Sequence, residues 1–138
     1  MRTSSAKAKG RRLQQRVRDD LLAVAGARLD STDVTSTPMG CNGVDVQLSK
    51  AARDFFGDLA IECKNVEVLN AVGVFQKHLD RYAPQGKVPI MVHSRNHTEP
   101  RVTLLWSDFL RLFLIPVVGK PPSPDPKFDM YRAIQEGR

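Results

Sequence analysis

The sequence predicts an α/β fold in which a mixed central β-sheet is flanked by helices. Two observations indicate this class: hydrophobic residues recur with helical spacing in some segments, and they alternate with polar residues in others. The two kinds of segment interleave along the chain in the predicted order α-β-β-α-β-β-α. With 138 residues, 41% of them hydrophobic, the chain is the size of one ordinary domain with a buried core.

The first predicted helix runs from Arg11 to about Leu29. Its apolar residues share one face at helical spacing: Leu13, Val17, Leu21 and Val24. The preceding residues 1–10 are small and basic, and they predict a flexible arm. Residues 30–42 are dense in Ser, Thr, Asp, Pro and Gly, which is typical of a loop.

Two strands are predicted next, because the hydrophobic period changes to two. In the segment GVDVQLS, the residues expected on one face are Val44, Val46 and Leu48. A short turn-like segment, Lys50–Gly57, leads to LAIECK, the second strand. Its residues Leu59, Ile61 and Cys63 are expected to face the core.

Helical spacing returns over residues 66–83. The apolar residues of this segment are Val68, Leu69, Val72, Phe75 and Leu79. Pro84 ends the helix. Two further strands are predicted at Val88–Ser94 and Arg101–Trp106, with Trp106 expected in the core.

Ser107 and Asp108 are expected to cap a last short helix that ends at Pro116. Four prolines within Pro121–Pro126 indicate an extended tail. The predicted organisation is a basic arm over 1–10, one domain over 11–116 and a Pro-rich tail over 117–138.

Positive charge is concentrated at the N-terminus. The chain has a formal net charge of +6, and residues 1–18 contain seven basic side chains and no acidic one. The remaining 120 residues hold 14 basic and 15 acidic residues. This asymmetry indicates a polyanionic partner, with nucleic acid favoured over an anionic membrane.

Several classes of protein are excluded by composition. No apolar run approaches the ~18–20 residues that span a bilayer, and no signal-peptide core is visible. The two cysteines, Cys41 and Cys63, have neither CxxC nor zinc-site spacing. We therefore expect reduced thiols and a cytoplasmic protein without a membrane partner.

Chemically reactive side chains are concentrated on the two middle strands. Glu62 and Lys64 are two residues apart, so they project from one face of their strand. If the strands pair, Asp45 approaches Glu62, and two carboxylates converge beside one ammonium. Adjacent carboxylates repel each other, whereas Mg²⁺ commonly binds one or two carboxylates. The alternative is an ordinary surface ion pair between Glu62 and Lys64, worth under ~1 kcal/mol.

The combination of Gly43-Val44-Asp45 and Glu62-Cys63-Lys64 resembles the PD-(D/E)XK nuclease superfamily. The segment Lys9-Gly10-Arg11-Arg12-Leu13-Gln14 is similar to the first helix of its Holliday-junction-resolvase-like branch, which includes small phage-type endonucleases. Gln14 stands where that branch often has Glu, and Val44 stands where it has Pro. The resemblance covers residues 9–112.

The resemblance implies a restriction-endonuclease-like fold and a homodimer in a bacterial or phage-infected cell. The activity implied is Mg²⁺- or Mn²⁺-dependent hydrolysis of DNA, with branched DNA as the substrate. Asp45, Glu62 and the Cys63 backbone carbonyl would hold the metal, and Lys64 would assist the attacking water. The implied supporting residues are Gln14, Gln76 and Ser36. The residues expected to contact DNA phosphates are Lys7, Lys9, Arg11, Arg12 and Arg95.

Alternatives remain for several of these residues. Gln76 could be a solvated helix position, and Ser36 could cap its loop instead of contacting phosphate. His93 and His97 lie across a strand end and a loop, so helical metal-ligand spacing does not apply to them. Two other functions share the pattern: a restriction-like or single-strand-specific nuclease, and a non-catalytic basic DNA-binding module.

Overall fold

A computed structural model of the protein describes residues 3–38, 41 and 43–114. The chain divides into two compact units, Met1–Thr103 and Leu104–Arg138. The predicted domain over 11–116 spans this division, and the predicted tail over 117–138 lies outside the described residues.

The first unit contains a five-stranded mixed sheet, which confirms the predicted α/β class. The strands are β1 (Val34–Ser36), β2 (Val46–Leu48), β3 (Leu59–Asn65), β4 (Val88–Ser94) and β5 (Arg101–Thr103). Their order in the sheet follows the chain. β3 and β4 pair in parallel, with Glu62 opposite Met91, and the other neighbours are antiparallel.

Three helices accompany the sheet in this unit. They are α1 (Thr3–Ala25), α2 (Lys50–Phe56) and α3 (Ala71–Tyr82). Single 3₁₀ turns follow α1 at Gly26–Arg28 and α3 at Ala83–Gln85. The turn after α3 contains Pro84, which agrees with the predicted end of that helix.

The core lies between α1 and one face of the sheet. Leu13 and Val17 of α1 belong to one buried cluster with Val34, Val46 and Ile61. Because side chains alternate along a strand, Ile61 and Cys63 face α1, whereas Ala60, Glu62 and Lys64 face the other side, where α3 packs. Glu62 and Lys64 therefore lie on the face opposite the α1 cluster, where Phe75 and Tyr82 of α3 are also buried.

The prediction of a flexible arm over residues 1–10 is wrong for the described part of that segment. α1 begins at Thr3 and continues without interruption to Ala25. The segment AKAK, residues 6–9, supplies strong helix formers, and the single Gly10 costs only about 1 kcal/mol within a helix. The basic side chains are thus carried on a helix.

Two elements were absent from the predicted order. β1 lies inside the predicted loop over 30–42, and α2 replaces the predicted turn-like segment after β2. β1 consists of Val-Thr-Ser and is held by pairing with β2. Ser49 caps α2 by accepting a hydrogen bond from the Ala52 N–H (3.1 Å).

Some predicted element ends are also wrong. α3 begins at Ala71, whereas the predicted helical segment begins at residue 66. β5 ends at Thr103, whereas the predicted strand reaches Trp106. Val68, before α3, and Val72, its second residue, are 91% and 82% exposed, so neither contributes to the core.

The second unit, as far as it is described, consists of α4 (Trp106–Phe109) and a π-helical turn, Leu110–Leu114. Trp106 is 62% exposed and stacks on Phe109, so its predicted place in the core is wrong. Ser107 and Asp108 lie inside α4 and do not cap it; Asp108 instead pairs with Arg111.

Candidate metal centre

Asp45 is fixed by two hydrogen bonds to β3. Its backbone N–H donates to the Ile61 carbonyl (3.0 Å), and its Oδ2 accepts from the Cys63 N–H (2.7 Å). Asp45 directly precedes β2, where Val46 is completely buried and anchors the backbone. The carboxylate thereby satisfies a β3 backbone group that the short β2 strand leaves without a backbone partner.

Glu62 and Lys64 lie together on the face of β3 that looks away from α1. Lys64 Nζ is 3.4 Å from Glu62 Oε1, and the side chains are 39% and 21% exposed for Lys64 and Glu62. Asp45 is close enough for its charge to raise the pKa of Glu62. The structure therefore brings together the three residues of the sequence prediction, two acids beside one cation.

His78 of α3 also contacts Glu62, and it was not among the site residues predicted from sequence. The ring is buried, with Nε2 at 2.8 Å from the Ala60 carbonyl and Nδ1 at 3.9 Å from Glu62 Oε2. Because a carbonyl only accepts hydrogen bonds, Nε2 carries a proton. The available signal was its spacing, since Phe75, His78 and Tyr82 share the buried side of α3.

Burial raises the pKa of both carboxyl groups. For Asp45 this desolvation outweighs the Cys63 N–H and the positive charges of Lys64 and His78, so its pKa is raised. For Glu62 desolvation is again the largest cause, and the charge of Asp45 raises the pKa further. The Cys63 thiol, which is buried behind them, also has a raised pKa. The protein surroundings therefore disfavour the charged forms of both carboxyl groups, chiefly because they are partly removed from water.

These groups fit a hard divalent cation. Asp45 and Glu62 supply carboxylate oxygens, and in a β-strand the C=O and N–H of one residue point to the same edge. The Cys63 carbonyl thus lies on the edge where its N–H meets Asp45. Mg²⁺ favours such oxygen donors and leaves other positions to water or phosphate. Within the described segments, no group of three or more His, Cys, Asp or Glu side chains is placed to hold a metal ion, so the candidate site has two carboxylates as its side-chain ligands.

The supporting residues occupy different places. Gln14 is 7% exposed on the α1 side of the sheet, where its Oε1 accepts a hydrogen bond from the Ser36 hydroxyl (2.9 Å). Gln76 lies on the exposed side of α3 and donates to Asp80 Oδ1 (2.8 Å). The structure therefore pairs Gln14 with Ser36 and directs Gln76 toward solvent.

A basic cleft lies between the N-terminal helix α1 and the C-terminal ends of β3 and β4, and we call it the N-terminal cleft. The basic residues that line it are Lys9, Arg12, Arg16 and Arg95. Its lining also includes Asn65, which follows Lys64. Arg16 is paired with Glu99 at 3.0 Å. The helical spacing of Lys9, Arg12 and Arg16 forms one stripe on α1. Lys7 and Arg11 are exposed on α1 outside this lining.

The loop that carries Arg95 is held by its own hydrogen bonds. The Arg95 N–H donates to Thr98 Oγ1 (3.2 Å), and the Ser94 hydroxyl lies 3.1 Å from the Thr98 carbonyl, to which it donates. His97 has φ +60°, a conformation that non-glycine residues adopt infrequently. This loop geometry places Arg95 at the cleft opposite α1.

The acidic site is expected to cost stability in the absence of metal. Glu62→Gln should raise the free energy of unfolding at pH 7 by about 0.5–2 kcal/mol, the range common for stabilising substitutions. Because the folded-state pKa of Glu62 is raised above its ordinary value of 4.5, its stabilising contribution is complete below that value and is lost as pH rises through the folded pKa.

Urea unfolding in EDTA at pH 4 and pH 7 measures this effect. The gain should be larger at pH 7 than at pH 4. The exposed Glu67→Gln is the matched control. Equal changes in the free energy of unfolding for Glu62→Gln and Glu67→Gln at both pH values would contradict the prediction that the acidic site costs stability.

Comparison with protein-family models, curated proteins and solved structures gives no match to this chain. In the part of the chain that the structure describes, no helix is both long and apolar enough to cross a membrane.

Proposed function

We propose that the protein is a metal-dependent DNA endonuclease of the PD-(D/E)XK type, with a restriction-endonuclease-like fold. The observation that carries this proposal is the placement of Asp45, Glu62 and Lys64. The Asp45 carboxylate, just before β2, is near enough to the Glu62 carboxylate on β3 to raise its pKa, both are partly desolvated, and one ammonium lies 3.4 Å from Glu62. Carboxyl groups whose pKa values are raised by burial and by a neighbouring acid are candidates for a functional site.

Asp45 and Glu62 would hold Mg²⁺ or Mn²⁺, with the Cys63 carbonyl as a further oxygen ligand. When bound, the cation supplies charge stabilisation at the scissile phosphate and lowers the pKa of a water. Lys64 orients the attacking water or stabilises charge that develops on the phosphate. His78 Nδ1 lies 3.9 Å from Glu62 Oε2 on the α3 side, and the hydrogen bond of its Nε2 to the Ala60 carbonyl links α3 to β3.

Branched DNA is the substrate that we propose, and a homodimer is the assembly. The similarity of residues 9–14 to the resolvase-like branch supports the choice of substrate. Cutting two strands symmetrically requires two active sites related by a twofold axis. The basic N-terminal cleft supports DNA as the polyanion, since it lies at the end of β3 next to Lys64.

A cleavage assay tests the proposal. The protein is incubated with a four-way junction, a flap, plain duplex and single-stranded DNA, each with Mg²⁺, Mn²⁺ or EDTA. We expect metal-dependent cleavage with preference for the junction. Preference for plain duplex or single strands would replace the branched substrate with another nuclease substrate. Intact DNA in every reaction would favour the non-catalytic binding module.

The N-terminal cleft should contribute to the salt dependence of DNA binding. Lys9→Gln combined with Arg12→Gln removes two cationic side chains of the cleft. We expect the magnitude of the negative slope of log K against log salt to fall by about 0.9 for each phosphate that the variant no longer neutralises, because fewer counterions are released. Fluorescence anisotropy in EDTA measures the slope without cleavage.

The matched control is Lys50→Gln combined with Lys77→Gln. It removes the same charge from exposed positions outside the N-terminal cleft. If the two double variants give the same slope, the cleft has no special part in DNA binding.

A further inference from the structure

A second basic cleft lies at the opposite end of β3 from the N-terminal cleft. We call it the distal cleft; its cationic residues are Arg53 of α2, Arg81 of α3 and Lys87, which precedes β4. Asp58 is the one carboxylate among the described residues that line it. The lining thus has a formal excess of two positive charges, although the domain outside residues 1–18 is nearly neutral.

Two of the three cations of the distal cleft, Arg53 and Arg81, are held in place by uncharged groups. Arg53 Nη1 donates to the Leu48 carbonyl (2.8 Å), and the Arg81 guanidinium lies 5.1 Å from the centre of the Tyr82 ring. Among the described ion pairs, none involves Arg53, Arg81 or Lys87. Fixed cations without a described carboxylate partner are suited to an anion from outside the chain.

Tyr82 belongs to the lining of the distal cleft. The residue is 5% exposed and its hydroxyl is buried, so its part in the cleft is to position the Arg81 guanidinium over its ring.

The distal cleft lies at the end of β3 that precedes the candidate metal centre in the chain. Its lining includes Val44, which precedes Asp45, and Leu59, the first residue of β3. Asn65, the last residue of β3, lines the N-terminal cleft. Because a strand rises about 3.3 Å per residue, Glu62 lies about 10 Å along β3 from each end. The two basic clefts therefore flank the acidic site along β3.

We propose that the distal cleft binds a backbone phosphate of the cleaved DNA strand within a few nucleotides of the cleaved bond. This inference rests on the proposed nuclease function. A distance of about 10 Å along β3 spans three nucleotides at most, because the rise along the helix axis alone is about 3.4 Å per nucleotide of one strand. The N-terminal cleft binds the strand on the other side of the cleavage position, so the DNA is held on both sides of the acidic site.

The experiment compares Arg81→Gln combined with Lys87→Gln against the control Lys50→Gln combined with Lys77→Gln. Both variants remove two positive charges from the surface. DNA binding in EDTA is measured by anisotropy from low to high salt. We expect the distal-cleft variant to lower the magnitude of the salt slope by about 1, whereas the control lowers it less. Equal slopes for the two variants would overturn the inference.

Position is tested with neutral methylphosphonate linkages placed singly along the DNA strand. In wild type, one linkage within a few nucleotides of the cut should weaken binding, and in the distal-cleft variant the same linkage should have no further effect. Equal sensitivity of wild type and variant at every linkage would overturn the assignment. The assignment would also be overturned if inorganic phosphate competed for the cleft while the salt slope of DNA binding stayed unchanged. The cleft would then be a site for free phosphate.

The two proposals can fail separately. If wild type cleaves DNA with Mg²⁺ but the distal-cleft variant behaves like its control, only the distal cleft is wrongly assigned. If wild type cleaves no DNA, the nuclease proposal fails whatever the salt slopes show.

Discussion

Asp45→Asn is expected to lower Mg²⁺-dependent DNA cleavage by about 10²–10³-fold or more, the loss typical of removing a group that stabilises charge in the transition state. The amide oxygen of asparagine can still accept a hydrogen bond from the Cys63 N–H, which in the wild type donates to the Asp45 carboxylate at 2.7 Å. The variant should therefore fold normally. It lacks the charge that would hold the metal beside Glu62.

Single-turnover cleavage of the preferred DNA substrate, together with circular dichroism, measures this effect. DNA affinity in EDTA should be unchanged or tighter, because one negative charge is removed near the phosphate path. Asp80→Asn is the matched control, since Asp80 is exposed on α3 and contacts Gln76. If Asp45→Asn cleaved DNA at the wild-type rate, Asp45 would have no part in the reaction.

Lys64→Met is expected to lower the rate of cleavage by about 10²-fold, within the range for removal of one electrostatic interaction with the transition state. Methionine retains most of the aliphatic stem but carries no charge. Because Lys64 Nζ lies 3.4 Å from Glu62 Oε1, it also competes with a cation for that carboxylate. Metal affinity should therefore stay equal or increase while cleavage falls.

This opposition between affinity and rate separates a catalytic role from a structural one. Mn²⁺ binding by calorimetry and single-turnover cleavage are measured on the same preparation. Lys77→Met, on the exposed side of α3, is the control and should alter neither quantity. A parallel loss of metal binding and cleavage in Lys64→Met would mean that Lys64 maintains the site structure and has no part in the reaction.

The long elements of the fold could be predicted from local patterns. The central part of α3 has the 3.6-residue period, β3 and β4 are short apolar runs of the length of buried strands, and the structure places all three at nearly the predicted residues. β1 could not be predicted, since its three residues, Val34–Ser36, are polar except for the first and depend on pairing with β2. α2 was hidden for a similar reason: it has only seven residues, too few to establish a helical period.

The acidic site was predictable only in part. The two-residue spacing of Glu62 and Lys64 on a strand determines that they share a face, and pairing between β2 and β3 was enough to bring Asp45 near them. His78 reaches Glu62 only because α3 packs on that face of the sheet. The contacts of Gln14 with Ser36 and of α1 with the Arg95 loop likewise join distant parts of the chain, and no local pattern indicates them.

Calorimetric titration of the protein with Mn²⁺ in the absence of DNA tests the central claim, that Asp45 and Glu62 together hold one divalent cation. It needs no knowledge of the preferred substrate. We predict one Mn²⁺ per chain for wild type, and strongly weakened binding for Asp45→Asn and for Glu62→Gln. Binding that is identical in wild type and both variants would contradict the account, because the cation would then be held elsewhere.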